Sequence, residues 1–273
     1  NLTNNDNNQE TVLFRPLHEG DRDEIKSLHE SWFPVKYADE FFNAAVRNKT
    51  IAGRALYSCA AVIVGEKDEE SVFNTSTWNE EAWGKFAASM DVNPDDINFH
   101  QDDSGKKFEM IKSSLLMSRE GFITERNNCI SGCIIGSFVD HSQCHKDTVA
   151  LLIRDTEIHT RMLYIMTLGT ADKFRNCGLA TALVEMCTRL VEQIPSCGVI
   201  YLHVITHNIL AIKFYEKLGF YQMQEIKDYY SINGKKHNCY LYAKFINGNN
   251  RSLYTILFSV WKRFITPLLL TYE

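Results

Sequence analysis

The chain is predicted to be an α/β protein, built on one mixed sheet with helices on both faces. Three observations predict it. Between Met162 and Leu218, apolar strand-like runs alternate with amphipathic helical stretches, the pattern of strands joined by crossover helices. Apolar runs linked by turns flank that region on both sides and read as antiparallel pairs. A length of 273 residues, 45% hydrophobic and 23% charged, allows one large domain or two small ones with a real core.

Taken in order, the first ten residues are polar and asparagine-rich and read as a disordered tail. Thr11–Pro16 reads as a first strand. Asp21 or Asp23 is expected to cap a helix whose apolar stripe is Ile25, Leu28, His29, Trp32 and Phe33. A second short helix is expected over Asp39–Arg47, then a strand over Ala55–Val64 with a partner at Gly132–Val139. Between those strands, Glu66 to Asn128 is polar and acidic, with helical candidates at Glu80–Met90 and Phe108–Met117. His141–Asp155 reads as another polar connection. A strand follows over Met162–Leu168, then a helix from about Leu179 to Gln193 with the stripe Leu179, Leu183, Val184, Cys187, Leu190 and Val191. A strand at Val199–Thr206 leads into a helix at Asn208–Leu218, which Gly219 ends in the left-handed conformation. Tyr221–Tyr230 and Cys239–Ile246 close the sheet as an antiparallel pair, with Asn233-Gly234 as a turn between them.

The stretch with most chemical content is Arg175-Asn176-Cys177-Gly178-Leu179-Ala180, where a strand feeds a helix. Glycine there lets the backbone approach a ligand with no Cβ in the way. The N–H groups of the helix's first turn, at its positive dipole end, form an anion site. A diphosphate fits it, with Arg175 adding charge at the edge. The stretch lacks the Lys-Ser/Thr of a nucleotide P-loop and the three glycines of a dinucleotide fingerprint.

Two residues on consecutive strands, Tyr164 and His203, could move a proton. Each lies a few residues before its strand's end, and open α/β sheets bind ligands beyond the carboxyl ends of strands. His203 can titrate near neutrality, and Tyr164 can pass a proton through a bound water. Taken singly, each is as well explained by packing or by an ordinary hydrogen bond.

The combined string R-x-x-G-x-A, then N-x-x-A-x-x-F-Y-E-K-x-G-F from Asn208 to Phe220, resembles the acetyl-CoA site of the GNAT acetyltransferase superfamily. Within that superfamily, Phe33-Pro34-Val35-Lys36-Tyr37, Tyr164, Tyr201-Leu202-His203 and Asp228 to Gly234 resemble the NatF type of N-alpha-acetyltransferase. The resemblance covers roughly residues 12–64 and 129–247, and it makes 66–128 an insertion at a hairpin tip, where loop growth costs little closure entropy. It implies a GNAT-type N-acyltransferase fold over 11–247. It implies acetyl-CoA as donor, no metal, and transfer to the α-amine of proteins that begin with Met and a hydrophobic or amphipathic residue. Histone lysines are a second implied substrate class.

By the same resemblance Tyr164 and His203 are the catalytic pair. Met166, Thr167 and Leu168 present backbone groups to the pantetheine arm, with the Leu168 N–H as oxyanion donor. Phe174, Arg175, Asn176, Cys177, Gly178, Leu179 and Ala180 hold the diphosphate side. Asn208, Tyr215, Glu216, Lys217 and Leu218 line the cofactor from the second helix. Asn208 also suits its helix N-cap, and Tyr215 suits its helix's apolar stripe as well as a place beside the CoA sulfur. Phe33, Pro34, Val35 and Tyr37 form one wall of a peptide slot and Tyr229 with Tyr230 the other. Lys36 departs from the family, which carries an acidic residue there. Two alternatives stay open: a GNAT activity on lysine or a small amine, and a membrane-bound acetyl-CoA-binding module without catalysis.

A net charge of −5 argues against a nucleic-acid binder with a broad basic face. The eight cysteines contain no CxxC pair. If Cys129 begins the strand that holds Cys133, their sulfurs are about 13 Å apart, too far for one zinc ion. They read as reduced thiols. After Gly248, the residues Leu253, Ile256, Leu257, Val260, Trp261, Phe264 and Leu268 recur at helical spacing, with Thr255, Ser259, Lys262, Arg263 and Thr266 mainly opposite. Lys262, Arg263 and Pro267 argue against a spanning helix, and the pattern fits a helix lying on a membrane surface, with a helix docked on the domain as the alternative. The resemblance implies attachment to the cytosolic face of the Golgi.

Overall fold

The structure, a computed structural model, describes residues 11–50, 53–64 and 129–249. The expected N-terminal tail, the segment 66–128 and the tail from 250 onward lie outside the described residues. Seven strands form one sheet: β1 (Thr11–Arg15), β2 (Leu56–Val64), β3 (Cys129–Asp140), β4 (Arg161–Thr170), β5 (Cys197–Ile205), β6 (Tyr221–Ile232) and β7 (Lys235–Phe245), in the order β1-β2-β3-β4-β5-β7-β6. Pairing is antiparallel for β1/β2, β2/β3, β5/β7 and β6/β7, and parallel for β4/β5, so the sheet is mixed as expected. Five α-helices are described: α1 (Arg22–Trp32), α2 (Asp39–Arg47), α3 (Lys146–Leu152), α4 (Leu179–Glu192) and α5 (Ile209–Lys217). These residues divide into two compact units, one of 11–50, 53–64, 129–137 and 165–193, the other of 138–164 and 194–249.

In the first unit, α1 and α2 bury Ile25, Phe42, Ala45 and Val46 with Ala60 and Val62 of β2 and Ile130, Cys133 and Ile135 of β3. Full burial of Ile25 and of Phe42 contributes about 1.5–3 kcal/mol each. β3 does begin at Cys129, and it is buried along nearly its whole length rather than alternately, as a strand covered on two faces must be. Gly132 on β3 leaves room for α4: a Cβ there would stand 3.0 Å from Leu179 Cδ2. That contact seats the first residue of α4 against the sheet.

Asp21 does not cap α1 as expected. Its carboxylate takes both Arg15 nitrogens, at 2.6 and 2.8 Å, and the His18 N–H at 2.9 Å. A bidentate guanidinium is a stronger partner than a helix-end N–H. Asn48 ends α2 in the left-handed region, φ +55, and is buried. Its Oδ1 accepts from Ser58 Oγ at 2.5 Å, and Ser58 Oγ accepts the Leu17 N–H at 3.1 Å.

The second unit packs Leu152, Ile153, Met162, Val199, Tyr201, Leu241 and Ala243. It holds α3, where the sequence reading expected only a polar connection. Seven residues give less than two turns, too few for periodicity to show. Asn233 and Gly234 turn β6 into β7 with φ of +50 and +75, as the type I′ signal required. The unit also extends past the boundary expected at 247. Asn249 is 1% exposed: its Nδ2 donates to the carbonyls of Leu152 and Gly198 at 2.8 and 3.0 Å, and its Oδ1 accepts the Arg154 N–H at 3.0 Å. No disulfide joins any of the eight cysteines.

Candidate active site

In the second unit, β4 and β5 run parallel with Tyr164 opposite Tyr201. Side chains alternate along a strand, so His203 shares a face with Tyr201 and comes within reach of Tyr164. The Tyr164 and Tyr201 rings stack at 5.0 Å, and the Tyr164 hydroxyl lies 3.2 Å from His203 Nδ1. The structure therefore brings together the two residues read as proton carriers.

A third residue joins them. β6 advances four residues from Ile226 to Tyr230 while β7 advances two, from Cys239 to His237. The bulge this makes is held by Asp228, at φ +53, whose N–H donates to Asn238 Oδ1 at 3.1 Å. It lays the Tyr229 ring on His203, with centroids 4.4 Å apart and planes 24° from parallel, and its hydroxyl 3.3 Å from the same Nδ1. Tyr230 donates to the His203 carbonyl at 3.4 Å. Tyr229 and Tyr230 were expected as a slot wall. Here they also enclose the histidine.

Burial pushes the His203 pKa down to about 4. Burial first, then the Tyr229 and Tyr230 phenols, pushes Tyr164 far above its ordinary range. At neutral pH the imidazole is neutral and the phenols keep their protons. Nδ1 is then the acceptor, shared by two hydroxyls of which one donates at a time, and Nε2 carries the ring proton.

The other residues read for this unit lie on α5. Asn208 caps the helix, accepting the Ala211 N–H at 3.2 Å. Gly219 is left-handed at φ +83, where the sequence placed the helix stop. Tyr215 is buried between the rings of Phe214 and Phe220. Glu216 accepts a hydrogen bond from the Tyr242 hydroxyl at 2.9 Å, so this carboxylate is engaged within the unit. Lys217 is exposed and Leu218 half-buried.

In the first unit, the loop before α4 has two left-handed residues, Asn176 at φ +63 and Gly178 at φ +81. Gly178 occupies the N-cap position with no side-chain cap, and a Cβ built on it meets nothing within 4 Å. First-turn N–H groups uncapped by a side chain, behind a glycine with open space at its Cβ position, suit a diphosphate. Leu179 is buried and Ala180 half-buried, so their backbone rather than their side chains serves this role. Cys177 turns its thiol back toward the Arg175 carbonyl, at 3.5 Å. Arg175 forms an exposed ion pair with Asp172 at 2.7 Å, a contact weak enough in water for the guanidinium to leave for an anion. Phe174 is half-buried beside it.

On β4, Thr167 is buried and its hydroxyl is turned to His29, which leaves its backbone as the part that can serve a ligand; Met166 and Leu168 are half-buried. Among the wall residues, Tyr37 stacks on Phe41 at 4.7 Å, and Phe33 packs within 5.3 Å of the His29 ring. Both belong in part to the core, while Pro34 and Lys36 are exposed and Val35 half-buried. Among the described residues, no group of three or more His, Cys, Asp or Glu could hold a metal ion.

The sequence reading gave His29 no role beyond the helix stripe. The signal was there: a histidine at a core-facing helical position must find partners for both ring nitrogens.

The second unit thus holds a neutral histidine shared by two tyrosines, and the first holds a glycine-started helix end that suits an anionic group. The acetyltransferase (GNAT) family profile matches residues 93–220. Among curated proteins the chain is similar to N-alpha-acetyltransferase 60 and to a histone acetyltransferase. It is 32% identical to N-alpha-acetyltransferase 60 of Xenopus tropicalis over 45% of this chain and 52% of the relative. It is 24% identical to the histone acetyltransferase MCC1 of Arabidopsis thaliana over 88% of this chain and 72% of that one. The fold matches the crystal structure of Arabidopsis thaliana NAA60 with a bisubstrate analogue, at 25% identity, 87% of this chain, 99% of that chain and a TM-score of 0.57. A structure of the same protein with acetyl-CoA matches at 24% identity and a TM-score of 0.57, over 87% of this chain and 100% of that one. The chain thus spans about half the length of the Xenopus relative.

Proposed function

We propose that this chain transfers the acetyl group of acetyl-CoA to the α-amine of protein N-termini, with Met followed by a hydrophobic or amphipathic residue as the preferred start. The observation that carries the reading is the Tyr164 hydroxyl 3.2 Å from Nδ1 of a neutral His203. Relatives named as N-alpha-acetyltransferases, and an NAA60 neighbour solved with acetyl-CoA, support it.

The thioester supplies an activated acyl carbon; the chain's residues bind it and move protons. The aminium of the incoming peptide must lose a proton before it can attack. Tyr164 takes that proton on its oxygen, directly or through one water, as its own hydroxyl proton passes to Nδ1 of His203. The imidazole becomes the imidazolium, and the phenol ends as it began; the free amine then attacks the thioester carbon, the C–S bond breaks, CoA leaves as the thiolate and takes up the second proton shed by the attacking nitrogen, and the imidazolium returns its proton to water. Tyr229, on the same nitrogen, offers a second path for the same transfer. On β4, beyond Tyr164, the backbone of Met166, Thr167 and Leu168 orients the pantetheine arm, and the Leu168 N–H meets the developing oxyanion. The α4 N-terminus with Gly178 holds the diphosphate.

Incubating the protein with acetyl-CoA and a panel of N-terminal peptides tests the reading. Transfer to Met-Leu, Met-Ile or Met-Lys starts, abolished when the α-amine is blocked, is the expected result. Transfer only to lysine ε-amines would replace it with the second reading, which the 24% identity to a histone acetyltransferase favours.

We propose further that residues 250–273 lie on a membrane surface, by the resemblance the cytosolic face of the Golgi. The support is their apolar and basic helical spacing. Among the described residues no helix is long and apolar enough to cross a membrane. Liposome flotation of the full chain against one truncated after Asn250 tests this, and equal flotation of the two would refute it.

A further inference from the structure

His29 is an almost fully enclosed polar side chain of the first unit, and the acetyl-transfer chemistry above leaves it unused. It is 1% exposed on α1, and five aromatic rings, those of Trp32, Phe33, Tyr37, Phe41 and Phe42, have centroids 5.3–5.9 Å from its own. An imidazole in such a box costs free energy unless both nitrogens are satisfied. Both are. Nδ1 lies 2.9 Å from the Ile25 carbonyl oxygen, and Nε2 lies 3.0 Å from Thr167 Oγ1. A carbonyl can only accept, so Nδ1 carries the ring proton, and Nε2 of the neutral ring accepts from the Thr167 hydroxyl. The direction of both bonds follows from that one fact.

Thr167 is the middle residue of Met166–Leu168 on β4. A second contact grips the same segment: a Cβ on Gly169 would overlap the indole of Trp32. Residues 167 and 169 share a strand face, so α1 holds β4 at two successive positions of that face, once by a hydrogen bond and once by a flat ring. The same helix runs directly into Phe33–Tyr37.

We propose that His29 is a positioning residue: through its hydrogen bond to Thr167, with Trp32 seated on Gly169, it fixes the backbone of Met166–Leu168 for acetyl transfer. The inference rests on the acetyltransferase reading above and deepens it. A backbone N–H stabilises an oxyanion only if it is already in place when charge develops. A displacement of about 1 Å can cost on the order of 100-fold in rate.

His29→Leu removes both nitrogens and leaves the Thr167 hydroxyl buried without its acceptor. Thr167→Val removes the hydroxyl and keeps the branched shape. The double variant removes both polar groups, which is close to neutral for stability when shape is kept. Steady-state kinetics with acetyl-CoA and a peptide are read beside thermal melts. The expected result is a kcat lowered roughly 10- to 100-fold in both single variants and in the double, with either KM changed less than about threefold. The double variant should melt close to wild type. His29→Gln, whose amide oxygen reaches the Nε2 position, should recover most of kcat. Recovery of wild-type kcat together with stability in the double variant would make the bond merely structural and overturn the inference. Unchanged kcat in folded single variants would overturn it as well. No acetyl transfer by the wild-type chain to any amine would overturn the parent reading, and this inference with it.

Discussion

Two histidines, His29 and His203, are held neutral by burial, each with its pKa pushed down from 6.5 to about 4. In the unfolded chain both return to about 6.5. Between pH 6.5 and 4 the unfolded state therefore binds protons that the folded state refuses, so stability is full above about 6.5 and is lost as pH falls toward 4. At pH 5 each histidine removes about 2 kcal/mol, and below pH 4 about 3 kcal/mol. For a domain of this size, 1 kcal/mol moves Tm by about 2–4 °C. The two together should lower Tm by roughly 8–16 °C between pH 7.5 and pH 5. His29→Leu removes one of the two proton acceptors, so its own drop over that interval should be about half as large, whatever its Tm at pH 7.5. Melts by circular dichroism at the two pH values decide the matter. A variant that loses as many degrees as the wild type would show that His29 takes up no proton on unfolding, and the reasoning from its burial would fail.

Tyr164→Phe and His203→Ala should each lower kcat by roughly 10²–10⁴-fold with acetyl-CoA affinity little changed, as read by steady-state kinetics and calorimetry; the double variant should lose less than the product of the two if they share one relay. Gly178→Arg, at φ +81, should cost about 1 kcal/mol or more in stability through its backbone angle and weaken CoA binding, and an unchanged affinity by calorimetry in the folded variant would remove the diphosphate cradle. Asn249→Ala breaks three hydrogen bonds among buried groups and should destabilise by about 2–4 kcal/mol in a urea melt, whereas a loss below about 0.5 kcal/mol would return the domain boundary to 247.

Local chemistry made much of this molecule legible. Gly178 before α4, Gly219 after α5 and Asn233-Gly234 between β6 and β7 all take positive φ, because left-handed turns admit few residue types and those types are visible in a string of letters. Long periodic runs found β4, β5, α4 and α5 to within a residue or two. What stayed hidden depends on contacts between residues far apart in the chain. Asn249 is tied to positions almost a hundred residues earlier. A nearer contact was hidden too: Asp21 reads as a cap until the loop after β1 brings Arg15, six residues earlier, beside it. The β6 bulge that brings Tyr229 onto His203 shows in sequence only as an aspartate in mid-strand, a residue strands disfavour. His29 looks like one more member of an apolar stripe, and only the position of Thr167 gives it a task.

The three bonds at Asn249 also set a geometric limit on where the enzyme can work. They fix the point from which residues 250–273 depart. Those residues reach roughly 80 Å fully extended and about 36 Å as one continuous helix. If they lie along a surface, as proposed, the point fixed at Asn249 is held beside that surface, and a polypeptide is modified only where its first residues emerge close to it. Selection of substrates would then depend on proximity as much as on the first two side chains, and lengthening the leash by a flexible insert after Asn250 would widen the set of proteins acetylated without changing the preference measured on free peptides.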